Sequence, residues 1–269
     1  MNFKDLGLSE KTIKAIDEFG IKEPTTVQMD VIPSILQGKD VFTIAPQRCG
    51  KTTSYVFPLL DIISNHDQDK KNILIITPDS SQSVIVSDRL AIFNKYHEIN
   101  ETTIKDKDED INNEANVIIG SPELLVELVE ENRIDLNKIN ILVVDDINLI
   151  KKQKQLANLE KILELLPSEK QNIVYTNRRS KETQDILDKI LKTPAEIKVD
   201  KNKEQETEQN QVEEKTQTKE EKKKSTPNHC RKFTDVKDKE AIELMKKYNS
   251  FNGKTPKFLL NKGIVAQGE

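Results

Sequence analysis

The residues best suited to chemistry are Ala45-Pro46-Gln47-Arg48-Cys49-Gly50-Lys51-Thr52, set between an apolar run, Val41–Ile44, and a helical pattern. Strand, turn and helix N-terminus in that order form a phosphate-binding loop. Backbone N–H groups and the positive end of the helix dipole hold the anion. Lys51 then reaches the outer phosphates, and the Thr52 hydroxyl serves Mg²⁺. An isolated Gly-Lys-Thr is common; the strand before it and the helix after it make it specific. About 90 residues further on, Asp145 and Asp146 close a second apolar run, Ile141–Val144. Carboxylates at the C-terminal end of a strand face the crevice where open α/β sheets bind ligands. One would hold the water shell of a hard cation, and the next would polarise an attacking water.

Such groups converge only if a sheet delivers them to one edge. Five short runs rich in Val and Ile punctuate the chain: Val41–Ile44, Ile73–Thr77, Val117–Gly120, Ile141–Val144 and Ile173–Tyr175. Each is apolar on both faces, as a strand covered by helices on both sides must be. Amphipathic stretches lie between them, at Pro122–Glu131 and at Leu156–Leu166, where Leu156, Leu159, Ile162, Leu163 and Leu166 share a face. Regular alternation of strand and helix predicts a parallel, doubly wound α/β sheet over residues 1–199. Ahead of it, Ser9 caps a helix bearing Ile13, Ile16 and Phe19 and stopped by Gly20, and a second helix spans roughly Thr26 to Gln37.

The composition then changes. The chain averages 35% hydrophobic and 33% charged residues, which is polar for a single globular domain. Lys201 to Lys224 accounts for much of this, with seven Lys, seven Glu and Val212 as its only apolar residue. Such a segment has nothing to bury, so residues 200–228 are expected to form a disordered charged linker. Residues 229–269 read as a short basic tail, with nine Lys plus Arg against five Asp plus Glu. It carries one amphipathic helix candidate, Val236–Tyr248. Cys49 and Cys230 lie far apart, which rules out a disulfide framework and points to a reducing compartment. No apolar run has the roughly 18 residues of a membrane span, and the first residues lack the apolar core of a secretory leader. The expectation is a cytoplasmic protein with no membrane partner.

A third pattern points to a family. Gly20-Ile21-Lys22-Glu23-Pro24-Thr25-Thr26-Val27-Gln28, with Phe3 seventeen residues before Gly20, resembles the Q motif of DEAD-box RNA helicases. Other segments follow in the family's order. Ala45–Thr52 is similar to its phosphate loop, and Thr77–Gln82 falls where the family has Pro-Thr-Arg-Glu-Leu-Ala. Gly120–Leu125 stands at Thr-Pro-Gly-Arg, Asp145-Asp146-Ile147-Asn148 at the Asp-Glu-Ala-Asp box, and Tyr175–Arg178 at Ser-Ala-Thr. The resemblance implies a RecA-like, P-loop NTPase sheet sandwiched by helices over residues 1–199, with ATP and Mg²⁺ as ligands. It places Phe3, Ile21, Gln28 and Ala45–Thr52 around the nucleotide, with the Gln28 amide reading the adenine edge. It makes Lys51, Asp145 and Asp146 catalytic, with Thr52 and Asp145 on the metal through water. Pro78, Ser121 and Pro122 would face RNA weakly, and Thr176 and Asn177 would couple this domain to another.

Several positions depart from the family pattern. Arg48 replaces the loop's first glycine, where its Cβ would strain the backbone or its guanidinium would add a phosphate contact. Ile21 stands where many relatives have an aromatic, Asp146 replaces glutamate, and Asn148 replaces the box's last Asp. Asp79, Ser80 and Glu123 bring no cation where the family has arginine. The 41 residues after Asn228 are too few for the second RecA-like domain that supplies arginine fingers in relatives. Three functions fit: a degenerate ATP-binding module with weak RNA binding and little unwinding; a non-catalytic interaction module built on the helicase fold; and an RNA-dependent ATPase completed by a protein partner or second RecA-like domain in trans.

Overall fold

Two-sided apolar strands must be covered on both faces, and the fold meets that demand. The structure is a computed structural model that describes residues 2–64, 72–108, 110–112 and 114–199. Among these residues, seven parallel strands form one sheet: β1 Val41–Ile44, β2 Asn72–Ile76, β3 Glu101–Thr103, β4 Val117–Gly120, β5 Ile139–Val144, β6 Gln171–Thr176 and β7 Ala195–Lys198. Their spatial order is β3-β4-β2-β5-β6-β1-β7. The register pairs Ile44 of β1 with Thr176 of β6, and Val144 of β5 with Val174 of β6. All strands therefore end at a common C-terminal edge.

The eight α-helices among the described residues are α1 Glu10–Phe19, α2 Thr26–Leu36, α3 Lys51–Ser64, α4 Ser80–Phe93, α5 Pro122–Glu130, α6 Ile147–Lys152, α7 Leu156–Leu165 and α8 Lys181–Ile190. Successive strand residues point to opposite faces, so the inner strands β1, β2, β4, β5 and β6 feed two cores. Ile73, Ile75, Ile141, Val143 and Ile173 join Ile16, Val31, Phe57 and Leu90 of α1 to α4 on one face. Leu74, Ile76, Leu142, Val144 and Val174 join Leu125, Leu159 and Ile186 of α5, α7 and α8 on the other. Full burial of one such side chain is worth roughly 1.5–3 kcal/mol. The expected α/β sandwich is therefore what forms.

Local signals act as the sequence implies. The Ser9 hydroxyl accepts from Thr12 N to cap α1, and Gly20 ends it in the left-handed region at φ 89. The differences lie at the margins. β3 and β7 escape a search for two-sided apolar runs, because both are short edge strands. Phe19, expected on the buried face of α1, is 48% exposed; it sits at the last turn, where its ring meets Phe93 edge-on. The expected linker at 200–228, the tail at 229–269 and its helix candidate lie outside the described residues. Among the described residues, no helix is long and apolar enough to cross a membrane.

Candidate functional site

The loop between β1 and α3 meets the end of β5 at the C-terminal edge of the sheet. Lys51 Nζ lies 3.4 Å from Asp146 Oδ2, with the two side chains only 10% and 4% exposed. A cleft of about 720 Å³ opens above them; its walls include Ile21, Gln47, Arg48, Gly50, Thr52 and Asp145.

Arg48 and Gly50 both hold left-handed backbone, at φ 67 and φ 85. The loop therefore needs the glycine conformation at position 48 even though arginine occupies it, a strain of about 1–2 kcal/mol. The strain expected at Arg48 is present in its backbone, and the residue lines the cleft.

Asp145 and Asp146 have different surroundings. Asp145 is buried, and the Tyr55 hydroxyl donates to its Oδ2 at 3.1 Å. Burial pushes its carboxyl up to about 6, although Lys51 and the Tyr55 hydroxyl pull it down. Asp146 takes left-handed backbone at φ 62 and caps α6, accepting from Leu149 N at 3.3 Å. Its carboxylate is thus engaged by a helix end and by Lys51, so polarising a water would require release from one of them. On α6, Asn148 Nδ2 donates to Thr176 Oγ1 at 2.6 Å, to Asn177 Oδ1 at 3.2 Å and to the Arg178 carbonyl at 2.6 Å. The two proposed coupling residues, Thr176 and Asn177, therefore meet the acidic box through an amide donor.

The residues expected around adenine have protein partners of their own. Gln28 is 3% exposed. Its Oε1 accepts from Thr25 N at 2.9 Å and its Nε2 donates to Thr53 Oγ1 at 2.7 Å. The amide is therefore committed to a capping box and to α3, and reading a base would mean exchanging those bonds. Thr25 donates to the Cys49 carbonyl at 2.9 Å, which ties this segment to the phosphate loop. Phe3 is buried edge-on against Phe57, with ring centroids 5.9 Å apart, and belongs to the core that supports the loop. Ala45 and Cys49 are buried, with the Cys49 thiol on the Pro46 carbonyl.

All three residues expected to face RNA are buried, Ser121 and Pro122 at the start of α5 and Pro78 against the cleft wall. Asp79 caps α4, accepting from Gln82 N at 2.9 Å, and Glu123 accepts from Gln155 Nε2 at 2.9 Å. These acids answer local donors, which position alone did not reveal. The cleft also has a wall that motif reading missed, formed by Gln82, Ile85 and Arg89 along α4 and by Leu149. Their spacing of three and four residues along one helix was the available signal.

Among the described residues, no three or more His, Cys, Asp or Glu side chains are grouped to hold a metal ion. The donor set nevertheless fits a magnesium nucleotide. Mg²⁺ takes one or two carboxylates and completes its shell with phosphate oxygens and water, and Asp145 with the Thr52 hydroxyl supplies that hard-oxygen side.

A parallel sheet with a Lys-Thr loop after one strand and paired acids after another defines a RecA-like P-loop architecture. The chain belongs to the DEAD/DEAH box helicase family, whose model matches residues 25–186. It is 24% identical over 204 residues to the Bacillus subtilis ATP-dependent RNA helicase DbpA, covering 74% of this chain and 42% of that protein. It is 28% identical over 204 residues to the Helicobacter pylori DEAD-box ATP-dependent RNA helicase RhpA, covering 74% and 41%. The chain thus spans less than half the length of these relatives. A DEAD box protein from Methanococcus jannaschii shares its fold, with a TM-score of 0.70 at 22% identity over 75% of this chain and 57% of that one. A S. cerevisiae dbp5 variant bound to a gle1 variant and ip6 gives 0.67 at 19% identity, over 74% and 52%.

Proposed function

We propose that residues 1–199 form a degenerate Mg²⁺–ATP-binding module of the RNA-helicase type, with weak RNA contact and little or no unwinding by itself. The observation that carries this reading is the convergence of Lys51, Asp145 and Asp146 on one cleft beside the loop. In the proposed complex, Thr52 and Asp145 face the metal, and Lys51 leaves Asp146 for the outer phosphates. Bound Mg²⁺ would neutralise charge developing between the β- and γ-phosphates. Gln28 would exchange its bond to Thr53 for the adenine edge, and the loop from Ala45 to Cys49 would present backbone N–H groups to phosphate.

Three features hold turnover down in this proposal. Asp146 is one methylene shorter than the family's glutamate and already caps α6, and a misplacement near 1 Å is worth about a hundredfold in rate. Arginine fingers, worth roughly 10³–10⁵ in related phosphoryl transfer, would have to reach this cleft from a second RecA-like domain or a protein partner. Asp79 and Glu123 offer RNA phosphates no cation. The relatives' descriptions as ATP-dependent RNA helicases and the neighbour's complex with gle1 support RNA and protein as the partner classes. The charged segment at 200–228 and the basic tail at 229–269 are proposed as a linker and an accessory element, and we place the module in the cytoplasm.

Phosphate release with saturating RNA, compared among wild type, Asp146→Glu and Lys51→Ala, tests the proposal. Slow turnover with little rescue by Asp146→Glu is the expected result. Robust RNA-stimulated turnover abolished by Lys51→Ala would favour an RNA-dependent ATPase instead. No nucleotide response of any kind would favour a non-catalytic interaction module.

A further inference from the structure

We propose that Tyr55 is a positioning residue for Asp145, a phenol that aims the metal-side carboxylate from beneath the phosphate loop; this rests on the Mg²⁺–ATP reading above. Tyr55 lies four residues after Lys51 on α3, so both side chains leave the same helix face. Lys51 rises into the cleft, while Tyr55 is fully buried below it. Its hydroxyl donates to Asp145 Oδ2 at 3.1 Å, and among the described residues it is the one side-chain hydroxyl or amide that hydrogen-bonds this carboxylate. With Oδ2 engaged, the orientation of Oδ1 at the cleft is set.

The phenol is itself held. Its ring packs on Tyr175, with centroids 5.4 Å apart and planes tilted by 55°. The Tyr175 hydroxyl pairs with Ser54 Oγ at 2.7 Å, and Ser54 Oγ donates to the Lys51 carbonyl at 2.6 Å. Two stacked phenols thus form a floor under the site. Tyr175 steadies the first turn of α3, and Tyr55 steadies the acid at the end of β5. In sequence, a tyrosine within an apolar helix or strand has the same signature as a packing residue. Its hydroxyl is what distinguishes it here.

A hydrogen-bond partner of a group that holds a metal's water shell orients that group as partners of direct ligands do. Removing a partner of a direct ligand weakens metal binding about 10–100-fold. Tyr55→Phe keeps the ring and its packing and removes only the donor. The test is calorimetric titration of the full chain with the nonhydrolysable analogue AMP-PNP across a range of Mg²⁺ concentrations, for wild type, Tyr55→Phe and Tyr175→Phe. Far-ultraviolet circular dichroism melts check that each variant is folded. In Tyr55→Phe, the Mg²⁺ concentration needed for half of the metal-dependent gain in affinity should rise about tenfold or more. Its Mg²⁺-free affinity for AMP-PNP should fall less than its affinity with Mg²⁺, because Lys51 keeps its place although the Tyr55 hydroxyl also meets the Thr52 side chain. Tyr175→Phe has no bond to Asp145, so its Mg²⁺ midpoint should shift less than that of Tyr55→Phe. An unchanged midpoint in Tyr55→Phe would overturn the proposal. So would an equal loss of metal-free and metal-dependent binding, the mark of a general packing defect. A wild-type chain that binds AMP-PNP without any Mg²⁺ dependence would overturn the role of Tyr55 and leave the nucleotide site standing. Failure of wild type to bind AMP-PNP at all would remove both.

Discussion

Replacing Gly50 by alanine should destabilise the domain by an amount the geometry lets one work out. Gly50 holds φ 85, and an added Cβ would stand 2.8 Å from Gln28 Nε2 and 3.0 Å from Thr25 Oγ1. Neither neighbour is free to yield, because Gln28 bonds Thr25 N and Thr53 Oγ1, and Thr25 bonds the Cys49 carbonyl. Left-handed backbone at a residue with a Cβ costs roughly 1–2 kcal/mol. Displacing the buried amide costs about 1–3 kcal/mol more, while the stiffer unfolded chain returns about 0.4–1 kcal/mol. The net is a loss of about 1–4.5 kcal/mol. For a domain of this size, that lowers Tm by roughly 2–18 °C. Gly38→Ala is the matched comparison: its φ is 72, but nothing lies within 4 Å of the added Cβ. It should lower Tm by about 6 °C at most. Thermal unfolding followed by circular dichroism measures both. Equal shifts in the two variants would refute the argument that Gln28 and Thr25 brace the loop, and an unshifted Gly50→Ala would refute it outright.

Three further outcomes are expected. Asp145→Asn should raise stability at pH 7.5 by up to about 3 kcal/mol in urea unfolding. The folded carboxyl sits at about 6 against an ordinary 3.8, so its penalty is fully present above about 6 and relieved as pH falls to 3.8; an unchanged or lower urea midpoint would contradict this. His97, held below its ordinary 6.5 by burial and by Lys11 despite the opposing pull of Asp61, is bound neutral between Thr12 and Ser64. The unfolded chain takes up that proton first, so His97 stability is present above about pH 6.5 and is lost as pH falls below it; His97→Gln should flatten the profile, and parallel profiles would rule His97 out. Asn148→Asp, which restores the family's residue, should lower the urea midpoint by the equivalent of about 2 kcal/mol or more. A carboxylate there would face the Arg178 carbonyl and Asn177 Oδ1 without a proton to donate, and a stabilised variant would show that this network is misread.

The central strands and the order of motifs were legible because both arise from strong local rules. Ile73–Ile76 and Ile141–Val144 are apolar at every position, a pattern required by burial on both faces. Glu101–Thr103 and Ala195–Lys198 follow no such rule, since an edge strand is exposed on one side and short. Loop geometry was legible at Gly50, where glycine advertises a left-handed backbone, and only half legible at Arg48, where arginine adopts it anyway. The two acids of the box were visible as a pair, but their division of labour was not. Asp145 is buried on a phenol that lies far away in sequence, whereas Asp146 closes a helix through Leu149 N just after it. Gln28 shows the limit of motif reading most plainly. The motif proposes a ligand for its amide, and the structure shows two protein partners that a nucleotide would have to displace.

The central claim is that Lys51 and Asp145 belong to one Mg²⁺–nucleotide site. Calorimetric titration of wild type, Lys51→Ala and Asp145→Asn with ATP analogue, with and without Mg²⁺, tests it most directly. Wild type should bind more tightly with Mg²⁺ than without it. Lys51→Ala should weaken binding under both conditions, while Asp145→Asn should abolish only the gain that Mg²⁺ brings. Binding that neither variant changes, or a wild-type affinity indifferent to Mg²⁺, would contradict the account.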